Sequence, residues 1–445
     1  MATTQKQETR EEINEYELLA FPVTEAVELA FDTPPQRASL ILGPPGIGKT
    51  TMIKLYAMRE AEKLGKEFID LSEMKAKLTK DKFNELVKEI RKNPEKYYVF
   101  DLISFGGTLP EELMGYPQLV HIKDGDQVLT SIEMVAFKAT LDIITVPNLH
   151  GTIVLDDVLN AHDPIRKSFV LAVFNERVVG GMSSTKISSK IRIIATGNLM
   201  EFSELAEPVP KPMAGRAQVI FAKPPSLEEW YQYMEATYKG DWFKDVYAFL
   251  TRYPQFFSRP ELINKAGQGP TPRNWDALAH VFQYRGERIE ALIKSGPEGQ
   301  QKVMKMAACY VGFDAASHFA AFLAKPYVSV DEVLADPKKI DEVAKDLDVA
   351  YRFSVELSQK LTKALEANDK AKVMSYMCVL KDLTDKTTGD LAVFVYDMIP
   401  NEFRIKFKKI VMEGVTSSDP RVREAAIKIR GILIDNVLGA VIIGK

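Results

Sequence analysis

The sequence contains little of what disulfide-rich and zinc-binding proteins need. Its 445 residues include two cysteines, Cys309 and Cys378, and five histidines. The histidines share no zinc-binding spacing with the cysteines, which argues against a zinc module. Both cysteines lie in apolar stretches, so we expect two buried free thiols in a reducing compartment.

Long hydrophobic runs and an excess of positive charge are also missing. No run of about 18 apolar residues occurs, and the first 19 residues lack the apolar core of a signal peptide. The formal net charge is −3, unlike that of a strongly basic nucleic-acid-binding protein. We therefore expect a cytoplasmic protein that does not span a membrane.

What the first half of the chain does contain is an alternation of short apolar segments with amphipathic helices. Strands are predicted at ASLIL, EFIDLS, YYVFDLI, TIVLDD and KIRIIAT. Helices are predicted between them, including a single exposed one over 73–96 and another over 163–177. This alternation is typical of an α/β fold whose parallel sheet is covered on both faces. After residue 222 the pattern becomes almost entirely helical.

The loop after the first of these strands has the spacing of a phosphate-binding loop. Gly43 is followed by four residues and then by Gly48, Lys49 and Thr50, with a helix pattern next. Such glycines let backbone N–H groups converge on an anion at a helix amino terminus. Lys49 would reach the β- and γ-phosphates, and Thr50 would bind Mg²⁺. The predicted nucleotide-binding residues are Gly43, Pro44, Pro45, Gly46, Ile47, Gly48, Lys49, Thr50 and Thr51.

Two adjacent carboxylates, Asp156 and Asp157, end the strand predicted at TIVLDD. Like charges side by side repel, and a magnesium ion beside a phosphate loop would offset the repulsion. We therefore predict that Asp156 holds Mg²⁺ through its water shell and that Asp157 polarises the water that attacks ATP. A rival register would make Asp157 the magnesium ligand and leave an inactive Val158 at the catalytic position. We disfavour it because Asp156 would then lie within the buried strand.

The order of five motifs resembles that of the AAA+ ATPases, and more narrowly of their MoxR-like, helix-2-insert group. The motifs are GPPGIGKT, GTIVLDD, IIATGN, PMAGRAQVIF and GPTPRNWDALAHV. Within that group, the chain resembles the ATPases that accompany von Willebrand factor A (vWA) domain proteins. The resemblance covers about residues 22–290 and extends more loosely to about 400, whereas 401–445 match nothing that we can place.

The resemblance implies roles for further residues. Asn198 would be the sensor-1 residue between the γ-phosphate and the water. Arg216 would be the arginine finger that reaches the neighbouring subunit's nucleotide, and Arg273 would be the sensor-2 residue that touches the phosphates of its own subunit. Together with Asp157, these are the candidate catalytic residues. The family usually has Glu where this chain has Asp157, whose side chain is one methylene shorter.

The resemblance also implies a domain organisation. A flexible segment, 1–20, would precede a three-layer α/β P-loop core over 21–223 that carries an insert at about 106–128. A small helical lid would follow over 224–295, and a further all-helical region over 296–445.

For function, the resemblance implies a chaperone-like ATPase that hydrolyses ATP to ADP and phosphate and remodels or assembles a protein client. It would act as a ring, expected to be a hexamer, with a vWA-domain partner. Two alternatives stay open: a nucleic-acid motor such as a helicase loader or translocase, and a slow ATP-dependent scaffold. Nucleic acid is not favoured, because the predicted insert holds one lysine and no arginine over 108–128.

Overall fold

The computed structural model describes residues 18–105, 107, 109, 113, 116–124, 127–135, 143–160, 164–179, 185–200, 202, 206–264 and 266–443. The chain divides into two compact units. The first comprises Met1–Trp230 and Thr271–Arg273, and the second comprises Tyr231–Pro270 and Asn274–Lys445. Most of the predicted flexible segment 1–20 and part of the predicted insert 106–128 lie outside the described residues. The four-part division made from the sequence stays a prediction.

The first unit is built on a parallel sheet of seven strands in the order β1-β11-β2-β10-β7-β4-β3. Two antiparallel hairpins, β5–β6 and β8–β9, lie outside that sheet. The strands are β1 (Phe21–Pro22), β2 (Ala38–Leu42), β3 (Glu67–Asp70), β4 (Tyr97–Ser104), β5 (Tyr116–Asp124), β6 (Gln127–Val135), β7 (His150–Asp156), β8 (Val178–Val179), β9 (Thr185–Lys186), β10 (Ile191–Gly197) and β11 (Ala217–Lys223).

Helices cover both faces of this sheet, so its inner strands are apolar at nearly every position. On β2, Leu40 and Leu42 pack into one apolar cluster while Ile41 packs into the other with the first two helices. The helices of this unit are α1 (Val23–Asp32), α2 (Lys49–Lys63), α3 (Leu71–Lys77), α4 (Lys80–Lys92), α5 (Pro164–Asn175) and α6 (Lys211–Ala214). The predicted α/β P-loop fold class is confirmed.

The charged segment predicted as one helix over 73–96 is two helices, α3 and α4, and that prediction was wrong. The Asp70 carboxylate accepts a hydrogen bond from the backbone N–H of Glu73, at 2.9 Å, and so caps α3. Leu78 is extended, with φ −95° and ψ 150°, and Thr79 precedes α4. Because Leu78 is apolar and in helical phase, the sequence pattern hides the break.

The regular elements that the structure describes in the second unit are all helices. Two helices begin in the first unit and continue into it, α7 (Leu227–Tyr238) and α9 (Pro272–Tyr284). The others are α8 (Asp245–Arg252), α10 (Gly286–Lys294), α11 (Pro297–Val311), α12 (Phe313–Leu323), α13 (Val330–Ala335), α14 (Ile340–Ala344), α15 (Leu347–Glu366), α16 (Lys370–Lys386), α17 (Asp390–Asp397), α18 (Asn401–Gly414) and α19 (Pro420–Ile443). Fully buried Trp275, Phe249 and Phe319 pack against one another in its core.

Two expectations from the sequence concern this unit. Both cysteines are free, and Cys378 is buried, but Cys309 is exposed on α11, so the expectation of two buried thiols was wrong for Cys309. In the part of the chain that the structure describes, no helix is long and apolar enough to cross a membrane.

Candidate nucleotide site

The phosphate loop connects buried strand β2 to helix α2 at the carboxyl edge of the sheet. Gly46 and Gly48 have φ of 76° and 93°, a left-handed conformation that favours glycine. A Cβ on Gly43 would lie 2.1 Å from the carbonyl oxygen of Ala222 on neighbouring β11. These three glycines are therefore required by the backbone itself, apart from any ligand.

The other loop residues have different surroundings. Ile47 is 2% exposed and packs in the core with α1 and α2, which anchors the loop. Pro44 is buried, Pro45 is half-buried, and Thr51 is exposed on the first turn of α2. Only the backbone of the loop and the side chains at the start of α2 are thus placed to act on a ligand.

Lys49, the first residue of α2, is 7% exposed and directs its amine back into the loop. Its Nζ donates hydrogen bonds to the carbonyl oxygens of Gly43 at 3.0 Å and Pro44 at 2.9 Å, and to Asn198 Oδ1 at 3.0 Å. Burial lowers the pKa of Lys49 to about 8, although the charges of Asp157 and Asp156 oppose the shift. The ammonium ion is held in the loop by neutral acceptors, which a phosphate could replace.

Asp156 ends β7 and pairs with Ser104 of β4. Its Oδ1 accepts a hydrogen bond from the Thr50 hydroxyl at 2.9 Å. A hydroxyl and a carboxylate are the hard oxygen groups that suit Mg²⁺, which takes few protein ligands and keeps water and substrate oxygens. Among the described residues, no group of three or more His, Cys, Asp or Glu side chains could hold a metal ion.

Asp157 follows directly and has a left-handed backbone, with φ 58°. Its Oδ1 accepts a hydrogen bond from Asn198 Nδ2 at 3.2 Å, so Asn198 bridges Asp157 and Lys49. Burial and the neighbouring charge of Asp156 raise the pKa of Asp157, while Lys49 and Arg273 oppose the shift. Val158 is 2% exposed within the core, which further disfavours the rival register.

One residue of this cluster was not identified from the sequence. Thr196, on β10, is fully buried, and its hydroxyl donates to Asp156 Oδ1. The oxygen of the Thr196 hydroxyl also accepts a hydrogen bond from the backbone N–H of Asp157 at 3.2 Å. A hydroxyl residue at the end of a strand that is otherwise mostly apolar, just before Gly197 and Asn198, was the available signal.

Arg273 lies beside the phosphate loop although it is more than 220 residues further along the chain. Its backbone N–H donates to the carbonyl oxygen of Gly46 at 3.1 Å. Its side chain is exposed, and its charge acts on the pKa of both Lys49 and Asp157. The structure therefore brings the start of α9 to the loop and leaves the guanidinium accessible.

Arg216 is not brought to this cluster. It is exposed between α6 and β11, and its Nη1 donates to the carbonyl oxygen of Pro212 at 2.8 Å. The next residue, Ala217, pairs with Ala38 at the start of β2, whereas the loop follows the end of β2. At a rise of about 3.3 Å per residue, the two ends of β2 are about 13 Å apart. Arg216 therefore lies at the amino edge of the sheet, away from its own chain's loop.

No protein-family model and no curated protein matches the chain. The solved structures that are similar to the chain include two at low identity. PCH-2 from C. elegans is 13% identical, with a TM-score of 0.25 over 68% of this chain and 66% of that one, slightly under two thirds of its length. The Aeropyrum pernix ORC2 protein, solved as ADPNP-ADP complexes, is 12% identical, with a TM-score of 0.29 over 93% of this chain and 94% of that one. At these scores neither similarity identifies what the chain does.

Proposed function

We propose that the protein is a Mg²⁺-dependent AAA+ ATPase that hydrolyses ATP to ADP and phosphate. The observation that carries this proposal is the meeting of three strand ends at one loop. Thr50 contacts Asp156, and Lys49 contacts Asn198, which in turn contacts Asp157. Lysine, hydroxyl, two carboxylates and an amide are the groups that phosphoryl transfer to water uses.

Each group has a task that its surroundings suit. The backbone N–H groups of the loop and the Lys49 ammonium would bind the phosphates, and Thr50 and Asp156 would hold Mg²⁺. Bound there, Mg²⁺ would neutralise charge on the β- and γ-phosphates. Asp157 would accept a hydrogen bond from the attacking water, and its partly desolvated carboxylate is a stronger acceptor than an exposed one. Asn198 would hold that carboxylate in place.

The finer parts of the proposal rest on the motif resemblance. Arg216, being remote from its own loop, would complete the site of a neighbouring subunit, which requires a ring such as a hexamer. Arg273 would touch the phosphates from the start of α9. We further propose a MoxR-like chaperone function on a protein client with a vWA-domain partner.

Phosphate release from purified protein tests the activity. We expect Mg²⁺-dependent turnover that Lys49→Ala and Asp156→Asn each reduce at least about 100-fold, because the first removes a cation from the phosphates and the second removes a carboxylate from the proposed Mg²⁺ site. Lys63→Ala is the matched control, since Lys63 is exposed at the other end of α2. Turnover that survives Lys49→Ala would overturn the proposal.

The same assay separates the alternatives. Stimulation by DNA with a steep dependence on salt would favour a nucleic-acid motor. Tight binding of ATP without turnover in the wild type would favour a scaffold. Affinity capture with an Asp157→Asn variant, which should retain ATP, tests for a vWA-domain partner and a protein client.

A further inference from the structure

We propose that Thr196 is a positioning residue that orients Asp156 toward Mg²⁺ and joins it to the turn at Asp157; this inference rests on the proposed ATPase function. Thr196 lies on β10, between the phosphate-loop strand β2 and the carboxylate strand β7. The register pairs Ala195 with Leu155 and Thr196 with Ile41. Thr196 is therefore next to both strands whose ends form the site.

The direction of the Thr196 hydroxyl is fixed by its two partners. Its oxygen accepts the backbone N–H of Asp157 at 3.2 Å, which leaves its single proton free to be donated to Asp156 Oδ1. A chain of two hydrogen bonds thus runs from the left-handed turn to the carboxylate. Because Thr196 is fully buried, no water can take over either bond without rearrangement.

Two hydroxyls share one oxygen of Asp156. Thr50 and Thr196 both donate to Oδ1. With Oδ1 held from two sides, the carboxylate has a fixed rotation, and Oδ2 is left to accept hydrogen bonds from the water shell of Mg²⁺. Groups that hold a metal ligand in orientation typically change metal affinity or activity 10- to 100-fold when removed. The hydrogen bonds of the Thr196 hydroxyl run to Asp156 and Asp157, so its effect should act through these two residues.

The experiment measures the Mg²⁺ dependence of nucleotide binding, without relying on turnover. Full-length protein is mixed with a fluorescent, non-hydrolysable ATP analogue in EDTA, and Mg²⁺ is then titrated in. Thr196→Val keeps the shape and removes the hydroxyl, while Thr196→Ser keeps the hydroxyl. Thr152→Val is the matched control, because Thr152 is equally buried in the same sheet and its hydroxyl contacts Tyr98 at the opposite edge.

We expect Thr196→Val to raise the Mg²⁺ concentration at half-effect by roughly 10- to 100-fold, and Thr196→Ser to restore it to within about threefold. Affinity in EDTA should stay within about twofold of the wild type in every variant, since the phosphate loop is unchanged. Thr152→Val should have a wild-type Mg²⁺ midpoint. If Thr196→Val does not fold, Thr196→Ala compared with Thr196→Ser replaces it.

An unchanged Mg²⁺ midpoint in folded Thr196→Val would overturn the inference while leaving the proposed ATPase intact. Equal shifts in Thr196→Val and Thr152→Val would overturn it too, because they would indicate a general effect on the sheet. A wild-type protein that binds no nucleotide with or without Mg²⁺ would refute the proposed function, and the inference would fall with it.

Discussion

Strands β7 and β10 carry a buried polar cluster at each end, and the two clusters are built on opposite principles. At the amino edge, Arg192 is 4% exposed and donates to the carbonyl oxygens of Ala30 and Thr33 and to the Glu60 carboxylate. Its guanidinium also lies 5.0 Å from the centre of the Phe31 ring. This cluster pairs one cation with one anion and with backbone groups of its own chain.

Neighbouring groups complete the amino-edge cluster. The Tyr98 hydroxyl lies 2.6 Å from the Thr152 hydroxyl and also donates to Glu60. Burial and the charge of Glu60 raise the pKa of Tyr98, so the phenol stays neutral and can donate. Such a cluster holds α1, α2 and the sheet together without needing a ligand.

At the carboxyl edge, two carboxylates lie side by side instead. Adjacent Asp156 and Asp157 face a single buried cation, Lys49, whose pKa burial lowers, while the pKa of Asp157 is raised. Both shifts mean that folding makes the charged forms less favourable at this edge. A cluster of this kind gains stability from a ligand that brings cationic Mg²⁺ and anionic phosphate together. The comparison predicts that changes at the amino edge reduce stability and changes at the carboxyl edge reduce function.

Arg216 is the exception that would break this comparison, because it lies at the amino edge yet is proposed to act in catalysis. We expect Arg216→Ala to slow turnover by roughly 10³- to 10⁵-fold, as loss of an arginine finger does. ADP affinity and thermal stability should stay unchanged, since the side chain is exposed and its hydrogen bond runs to the carbonyl oxygen of nearby Pro212. Steady-state turnover and fluorescent ADP binding measure the two quantities.

Lys211→Ala is the control for Arg216, because Lys211 is an exposed cation on the preceding helix. Mixing Arg216→Ala with Lys49→Ala subunits should recover part of the turnover, since each intact loop can then meet an intact Arg216. Equal turnover of Arg216→Ala and the wild type would remove Arg216 from the site.

The next largest expected effect is a loss of stability when Arg192 is replaced. Arg192→Met leaves Glu60 and two carbonyl oxygens without their cationic partner in a buried place. Removing one member of a buried ion pair costs about 3–5 kcal/mol of unfolding free energy. Urea unfolding should show this loss, with nucleotide affinity unchanged in the protein that remains folded. Lys190→Met, a half-buried neighbour at the same edge, should cost far less, and a similar cost for both would contradict the pairing.

The lowered pKa of Lys49 predicts opposite pH trends for the free energy of unfolding and for ADP affinity. Between about pH 8 and 10.5 the unfolded chain holds a proton at Lys49 that the folded, nucleotide-free chain has released. Stability contributed by this group therefore rises with pH across that window. Phosphates prefer the ammonium form, so ADP affinity should fall, by up to about tenfold per pH unit. Urea unfolding and ADP titration, each measured against pH, should show both trends in the wild type and lose them in Lys49→Met, which lacks the amine. Identical pH profiles in the two proteins would refute both trends.

The sequence predicts local features of this molecule well and cross-strand features poorly. Buried parallel strands are continuous apolar runs, so the α/β fold and the loop from Gly43 to Thr50 can be recognised from adjacent residues. The break at Leu78 could not, because Leu78 is apolar and in helical phase with the residues around it, although its backbone is extended. For Thr196 the sequence offers only a hydroxyl residue near a strand end, because its contacts follow from the register between β10 and β7.

Other features could not be predicted from the sequence because they depend on residues far apart along the chain or on which face of a helix a residue occupies. Spacing alone gives no reason why Arg273 should lie beside Gly46, and only the motif resemblance pointed to it. The exposure of Cys309 is a similar case, because the apolar stretch around it indicates a buried helix face without showing which face Cys309 occupies.

The smallest expected effect concerns the backbone at Asp157 and tests why this chain has Asp where the resembling family has Glu. With φ 58°, position 157 adopts a left-handed conformation that Asp and Asn tolerate better than longer side chains. Asp157→Glu should therefore cost about 1 kcal/mol of stability, whereas Asp157→Asn should cost less. The two thermal unfolding midpoints measure the difference.

The ATP turnover of Asp157→Glu gives a second test of why this chain has Asp at position 157. A Glu carboxylate at 157 would have to sit one methylene further out, where the 3.2 Å hydrogen bond from Asn198 could form only if the turn rearranged. We therefore expect Asp157→Glu to turn over ATP no faster than the wild type, although Glu is the family's usual residue. A variant that is both more stable and faster would show that the left-handed turn is not what selects Asp.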